Sequence, residues 1–174
     1  MALKSTIFKA DLQVADLDRG HFADYALTIA RHPSETDERM MVRLLAFAMY
    51  AAPDLAFGKG LSTEDDPALA AIDLTGELRL AIEVGLPEEE RLRKLARRAR
   101  AAALVMYGGR AADIWWQQNA AALGRLANLQ VWRLAAGESA ALGELAERTM
   151  RLACTLQEGT IYFGDVELRP ERLQ

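Results

Sequence analysis

The sequence predicts an α/β chain of the α+β type: a mixed β-sheet flanked by helices, with additional N- and C-terminal β-hairpins. Two observations carry this. The first is the succession of period-two and helical stretches, strand, helix, strand, helix, strand, through the middle of the chain, an order that implies a partly parallel sheet covered by helices. The second is that alternating apolar and polar runs bracketed by turn residues stand before and after that middle region. A chain of 174 residues, 51% hydrophobic and 26% charged, can bury one core of ordinary size. A single domain spanning residues 1–174 is therefore expected, with disorder confined to the last few residues.

Residues 5 to 15 alternate Phe8, Ala10, Leu12 and Val14 with Lys9, Asp11 and Gln13, which is a half-buried strand. Asp18-Arg19-Gly20 turns the chain into a second strand over about 22 to 30, with Tyr25, Leu27 and Ile29 on one side, and His32-Pro33-Ser34 ends it. Ser34, followed by Glu35, Thr36 and Asp37, makes a good helix start, because carboxylates favour the positive end of the helix dipole. That helix runs to about residue 51, with an apolar stripe of Met41, Leu44, Leu45 and Ala48 and with Glu38, Arg39 and Arg43 off the stripe. After Pro53 a short strand over 55 to 61 leads to a hairpin over 67 to 84, turned at Thr75-Gly76. Leu86-Pro87-Glu88-Glu89-Glu90 opens a basic helix. Residues 101 to 107 predict a buried strand, 110 to 125 a helix and 129 to 134 another strand. Trp115 and Trp116 are adjacent in that helix, so one core residue and one interface residue is the expected division. A short helix over 138 to 147 precedes a last hairpin, 150 to 156 and 160 to 163, turned by Gln157-Glu158-Gly159.

Composition removes several functions. No N-terminal apolar run is long enough for a signal peptide or membrane span, since Lys4, Lys9 and Asp11 interrupt it, so a cytoplasmic protein without membrane contact is expected. The single cysteine, Cys154, excludes an intrachain disulfide and a thiolate zinc cluster, and its apolar surroundings predict a buried side chain. With only His21 and His32 present, a multi-histidine metal site is excluded. A bound metal would have to use oxygen ligands, which favours Mg²⁺ or Mn²⁺ over Zn²⁺. The net charge of −4 argues against tight nonspecific binding to nucleic acid, although a local basic surface can still bind phosphates. Tyr107-Gly108-Gly109-Arg110 lacks the spacing of a nucleotide-binding glycine loop and predicts a strand-to-helix turn.

The chemistry concentrates in the hairpin. Pairing Leu74 with Glu77 across its turn sets Ala70 opposite Ala81, Ala68 opposite Glu83 and Asp66 opposite Gly85. Asp66 and Glu83 then converge at one end of one face, where a strand also offers a free backbone carbonyl. Two carboxylates with water completing the shell is a common beginning for a Mg²⁺ site. On the helix that follows, Arg91, Lys94 and Arg98 share one face by their i, i+3, i+7 spacing.

Arg31-His32-Pro33-Ser34-Glu35-Thr36, Glu38-Arg39-Met40-Met41, Arg43-Leu44-Leu45-Ala46, Asp66-Pro67, Ile82-Glu83-Val84-Gly85-Leu86-Pro87, Trp115-Trp116-Gln117-Gln118-Asn119 and Ala127-Asn128-Leu129 strongly resemble bacterial proteins of the YaeQ family. The resemblance covers nearly the whole chain. It implies a variant restriction-endonuclease-like PD-(D/E)xK core and, through that fold, Mg²⁺-dependent phosphodiester hydrolysis on DNA or RNA, with the reservation that fold alone does not establish activity. Carried over residue by residue, Asp66 matches the acid of the second strand and Glu83 the acid of the (D/E)xK element. Asp73 competes with Asp66, but lies next to the turn, opposite Leu78. The chain departs from the pattern at Gly85, where the lysine should stand. Lys94 in the next helix is the candidate replacement, and Glu38, with Glu35 as the alternative, the candidate carboxylate of the first helix. The implied catalytic set is Asp66, Glu83, Lys94 and Glu38. The metal would take Asp66, Glu83 and the Val84 carbonyl, with Arg91 and Arg98 on flanking phosphates. The other reading is a binding module on the same scaffold, acting without catalysis in transcription or nucleic-acid metabolism.

Overall fold

The N-terminal alternation forms β1 (Thr6–Asp16) and β2 (His21–Arg31), an antiparallel pair in register from Thr6 opposite Arg31 to Asp16 opposite His21. The structure, a computed structural model, describes residues 4–58 and 66–174. Inward-facing Phe8, Ala10, Leu12 and Val14 of β1 are buried, as the period of two requires. Helix α1 (Asp37–Met49) follows, then β3 (Leu55–Phe57), β4 (Leu69–Ile72) and β5 (Leu78–Val84). Next come α2 (Glu89–Arg98), β6 (Ala101–Met106), α3 (Arg110–Leu123), β7 (Leu129–Arg133) and α4 (Ala136–Glu144). The chain closes with β8 (Thr149–Gln157), β9 (Thr160–Phe163), β10 (Val166–Leu168) and β11 (Glu171–Arg172).

These strands build two mixed sheets, β10-β9-β8-β1-β2 and β11-β7-β6-β5-β4-β3. In the second, β5, β6 and β7 run parallel and the others antiparallel, as the alternation of strands and helices predicts. The terminal hairpins are not separate appendages. β8 pairs in parallel with β1, Lys9 opposite Thr149 through Asp16 opposite Leu156, and so joins the N-terminal and C-terminal hairpins into one sheet. A parallel pairing between segments so far apart leaves no local turn signal.

Helix α1 lies between the two sheets. Its Met40 to Ala48 share one core with Leu12 and Val14 of β1 and with Leu80, Ile82 and Val84 of β5. The opposite face of the β5–β7 sheet is covered by α2 and α3, through Leu92, Ala96, Ala112 and Leu123 against Leu104, Met106 and Val131. Several expectations change on this account. A helix clasped between sheets is buried all round, so the narrow stripe expected of α1 widens and takes in Arg43, 1% exposed. Ser34 does not start the helix: its hydroxyl and N–H engage His32 Nδ1, and Thr36 caps instead, accepting the Arg39 N–H at 3.1 Å. Trp115 and Trp116 do not divide between core and interface, since both are half-buried against the same α2–α3 core. The last residues are ordered, with β11 on β7 and the Gln174 amide donating to the Leu123 carbonyl at the end of α3. The strand expected over 55 to 61 is three residues long, and its residues 59 to 61 lie outside the described ones. Cys154 is buried as expected, and burial pushes its thiol up to about 12.

Candidate functional site

Parallel strands β5 and β6 end close together, β5 at Val84 opposite Val105 and β6 one residue further at Met106, and the crevice beyond such strand ends is where open α/β sheets bind ligands. Along β5, Leu80, Ile82 and Val84 face α1, so the period of two turns Ala81 and Glu83 to the α2 side. Glu83 is 4% exposed there, an acid in a strand that otherwise reads as continuous core. Its carboxylate is satisfied by three contacts. The Ala68 N–H donates to Oε1 at 2.8 Å, Arg91 Nε donates to Oε2 at 3.2 Å, and Arg91 Nη2 lies 3.4 Å from Oε1. The same Nη2 donates to the Asp66 backbone carbonyl at 2.6 Å. One positive charge is thus held between the Glu83 carboxylate and a carbonyl oxygen of Asp66.

Local folding brings those atoms together. Between β4 and β5 the register is the expected one from Leu69 opposite Ile82 to Ala71 opposite Leu80, with Ala70 opposite Ala81. It slips after Ala71, where a bulge sets Ile72 opposite Leu78, so Asp73 faces Glu77 rather than Leu78. Asp73 is consumed by the turn, its Oδ1 accepting from the Thr75 N–H and hydroxyl and from the Glu77 N–H, with Arg100 beside it. Those hydrogen bonds hold its carboxyl below the usual range, the Thr75 side chain having the largest effect. The Asp66-Pro67-Ala68 segment is seated against Gly58, whose N–H donates to the Ala68 carbonyl at 2.9 Å. A Cβ at residue 58 would stand 2.2 Å from the Pro67 carbonyl, so only glycine allows this approach. On the other side, Trp115 Nε1 donates to the Pro87 carbonyl at 3.0 Å and fixes the loop from which α2 starts.

The remaining predicted residues are distributed differently. Lys94 is 68% exposed at its side chain and pairs along the helix with Glu90 at 3.2 Å, while Arg91, three residues earlier, is the cation on Glu83. Arg98 lies exposed at the end of α2. Val84 is buried on the α1 side. Glu38 and Glu35 belong to the first helix and its approach, on the sheet face opposite Glu83. Glu38 accepts the Ser139 hydroxyl of α4 at 2.6 Å. Glu35 is buried and takes Arg43 Nε at 2.8 Å and Nη2 at 3.0 Å, with Arg39 at 3.4 Å. Among the described residues no cluster of three or more His, Cys, Asp or Glu could hold a metal, and Glu64 and Asp65 lie outside those residues.

Two features were not read from the sequence. The expected role of Arg91 on flanking phosphates leaves out its pairing with Glu83, for which its place eight residues after Glu83, early in a helix, is the signal. A stripe that leaves Arg43 outside hides the Glu35–Arg43 pair. The position of Arg43 inside the run Met40 to Ala48 is the available clue. At Gly85, where the resemblance expects a lysine, the backbone has φ +90°, a conformation that strains any side chain, while the space itself would leave a Cβ in ordinary contact with the Tyr107 ring at 3.8 Å. Burial raises the Tyr107 phenol above its ordinary value, so it stays protonated at neutral pH.

No helix among the described residues is long and apolar enough to cross a membrane. The family described as YaeQ protein matches residues 1–170. The YaeQ protein of Salmonella typhi is 53% identical over 166 residues, which is 95% of this chain and 91% of that one. That of Escherichia coli strain K12 is 50% identical over the same shares. The crystal structure of YaeQ from Xanthomonas axonopodis pv. citri superposes with a TM-score of 0.95 at 46% identity, covering 98% of both chains. YaeQ from Pseudomonas syringae gives 0.93 at 36% identity, over 98% of this chain and 96% of that one. With matched sequence and superposable architecture along almost its whole length, the chain belongs to the YaeQ family.

Proposed function

We propose that the protein hydrolyses phosphodiester bonds of nucleic acid, DNA or RNA, on a restriction-endonuclease-like PD-(D/E)xK core, with a divalent cation, Mg²⁺ or Mn²⁺, held at Asp66 and Glu83. The observation that carries this reading is the meeting of Glu83 and Asp66 oxygens on a single positive charge at the strand ends. Those donors fit the ion in chemistry. They are hard oxygens, they sit at one locus, and two protein groups with water completing the shell suffice for Mg²⁺. When bound, the ion would supply a water of lowered pKa and offset the charge that develops on the phosphate.

The chain's own residues do the rest. Glu83, fixed by the Ala68 N–H, presents its carboxylate in one orientation, and the Asp66 carboxylate and Val84 carbonyl are the further oxygens assigned to the site. Lys94 and Arg98 on α2 are exposed to an incoming strand and would hold phosphates flanking the scissile one. Glu38 has no part, since it serves α4 on the other face.

The alternative is a binding module without catalysis, favoured by one observation: two basic residues of α2 are already paired, Arg91 with Glu83 and Lys94 with Glu90. Incubating the protein with single- and double-stranded DNA and RNA under Mg²⁺ and Mn²⁺ separates the two. Metal-dependent cleavage that Glu83→Gln abolishes supports hydrolysis. Retention of nucleic acid without cleavage under every divalent ion supports the module.

A further inference from the structure

We infer that the Arg91 guanidinium is the resident cation of the Glu83–Asp66 locus, and that a divalent ion enters only by displacing it. The inference rests on the metal-binding reading above and concerns how that site is kept closed. Arg91 makes the contacts an ion would need through two nitrogens, Nε on Glu83 Oε2 and Nη2 on both Glu83 Oε1 and the Asp66 carbonyl. Arg91 Nη2 stands between Glu83 Oε1 and the Asp66 carbonyl, the place an ion bridging those oxygens would take, and the two positive charges repel at that distance. The arrangement has the elements of a switch. The Arg91 side chain is 29% exposed on a helix beside solvent, whereas the Glu83 side chain is 5% exposed and anchored by a backbone N–H, so the arginine is the partner able to leave. Once released, its planar fork matches a phosphate, which links departure from Glu83 to arrival of a phosphodiester. Lys94 and Arg97 cannot play this part. Neither touches Glu83: Lys94 pairs with Glu90 on the solvent side, and Arg97 is exposed on another face of α2.

The inference reverses the usual expectation for a basic residue at an active site: removing it should strengthen metal binding. Mn²⁺ affinity is to be measured by calorimetry at pH 8 on the full chain, as wild type, Arg91→Ala, Arg97→Ala and Glu83→Gln. Arg91→Ala should bind Mn²⁺ at least about fivefold more tightly than wild type, the order expected for release of a partly exposed ion pair. Glu83→Gln should bind none. An Arg91→Ala affinity equal to or weaker than wild type would overturn the inference while leaving the metal site standing. Equal tightening by Arg97→Ala would overturn it too, since a general loss of positive charge would then account for the effect. Absence of Mn²⁺ binding in all four proteins would remove both the inference and the metal reading.

Should Arg91→Ala fail to fold, the unaltered protein gives the answer. The Arg91 Nε–H resonance, followed by NMR during Mg²⁺ titration, should move with the binding isotherm as the hydrogen bond to Glu83 is lost. A resonance unchanged at saturating Mg²⁺ would show that the ion, if bound, leaves Arg91 in place, and the inference would fall.

Discussion

Buried charges are the features of this chain that hydrophobic patterning hides. Glu83 and Glu35 are both buried acids, each answered by an arginine: Arg91 for the first, Arg43 for the second. Their surroundings set different roles. Arg43 is itself 1% exposed and also donates to the Ala30 carbonyl at 3.1 Å, tying α1 to the end of β2. Burial lowers its pKa, and Glu35 pulls it back up. Such a pair is structural. Replacing one partner leaves the other buried without compensation, so Arg43→Met should cost about 3–5 kcal/mol in urea denaturation. Replacing both, Glu35→Leu with Arg43→Met, should cost distinctly less, because the desolvated charges go together. Equal losses in the single and double variants would show that volume, and not charge, governs the site. The Glu83–Arg91 pair opens towards solvent on its arginine side, which is what the proposed exchange with a divalent cation requires.

At the level of strands and helices, the end of β5 decides what chemistry is open to the chain. β5 ends at Val84, and Gly85 takes the next position at φ +90°, which strains any side chain where the family resemblance expects a lysine. Gly85→Lys therefore should not restore the motif. It should lower stability by on the order of 1–2 kcal/mol in thermal or urea denaturation, as expected for a side chain forced into the left-handed region. An unchanged midpoint would mean that the turn adopts another conformation readily. Elements themselves were largely legible: β1, β2, β6, β7 and the β8–β9 hairpin follow from period and turn residues, and Glu158 and Gly159 take the positive φ of 50° and 79° that a two-residue hairpin turn requires. The β4–β5 register was readable as far as Ala71. The bulge beyond it was not, because an inserted residue near a turn changes pairing without altering the apolar pattern.

Across the fold, topology separates groups that the family resemblance brings together. The resemblance implies that a carboxylate of the first helix, Glu38 or Glu35, joins Asp66 and Glu83. The position of α1 between the sheets sends Glu38 to α4 instead, while Glu83 faces α2. Which face of a central sheet a helix covers is a property of the assembled layers, and periodicity cannot report it. The parallel pairing of β1 with β8 belongs to the same class of information. The sequence sets Asp66 and Glu83 near one another, and in the fold the Asp66 backbone carbonyl and the Glu83 carboxylate both accept from Arg91, while Lys94 pairs with Glu90.

The most direct measurement is anomalous diffraction from crystals equilibrated with Mn²⁺. A single anomalous peak between the Glu83 carboxylate and Asp66, with the Arg91 side chain swung clear, is the predicted result. Saturating Mn²⁺ with no peak at that position, and Arg91 still bonded to Glu83, would contradict it.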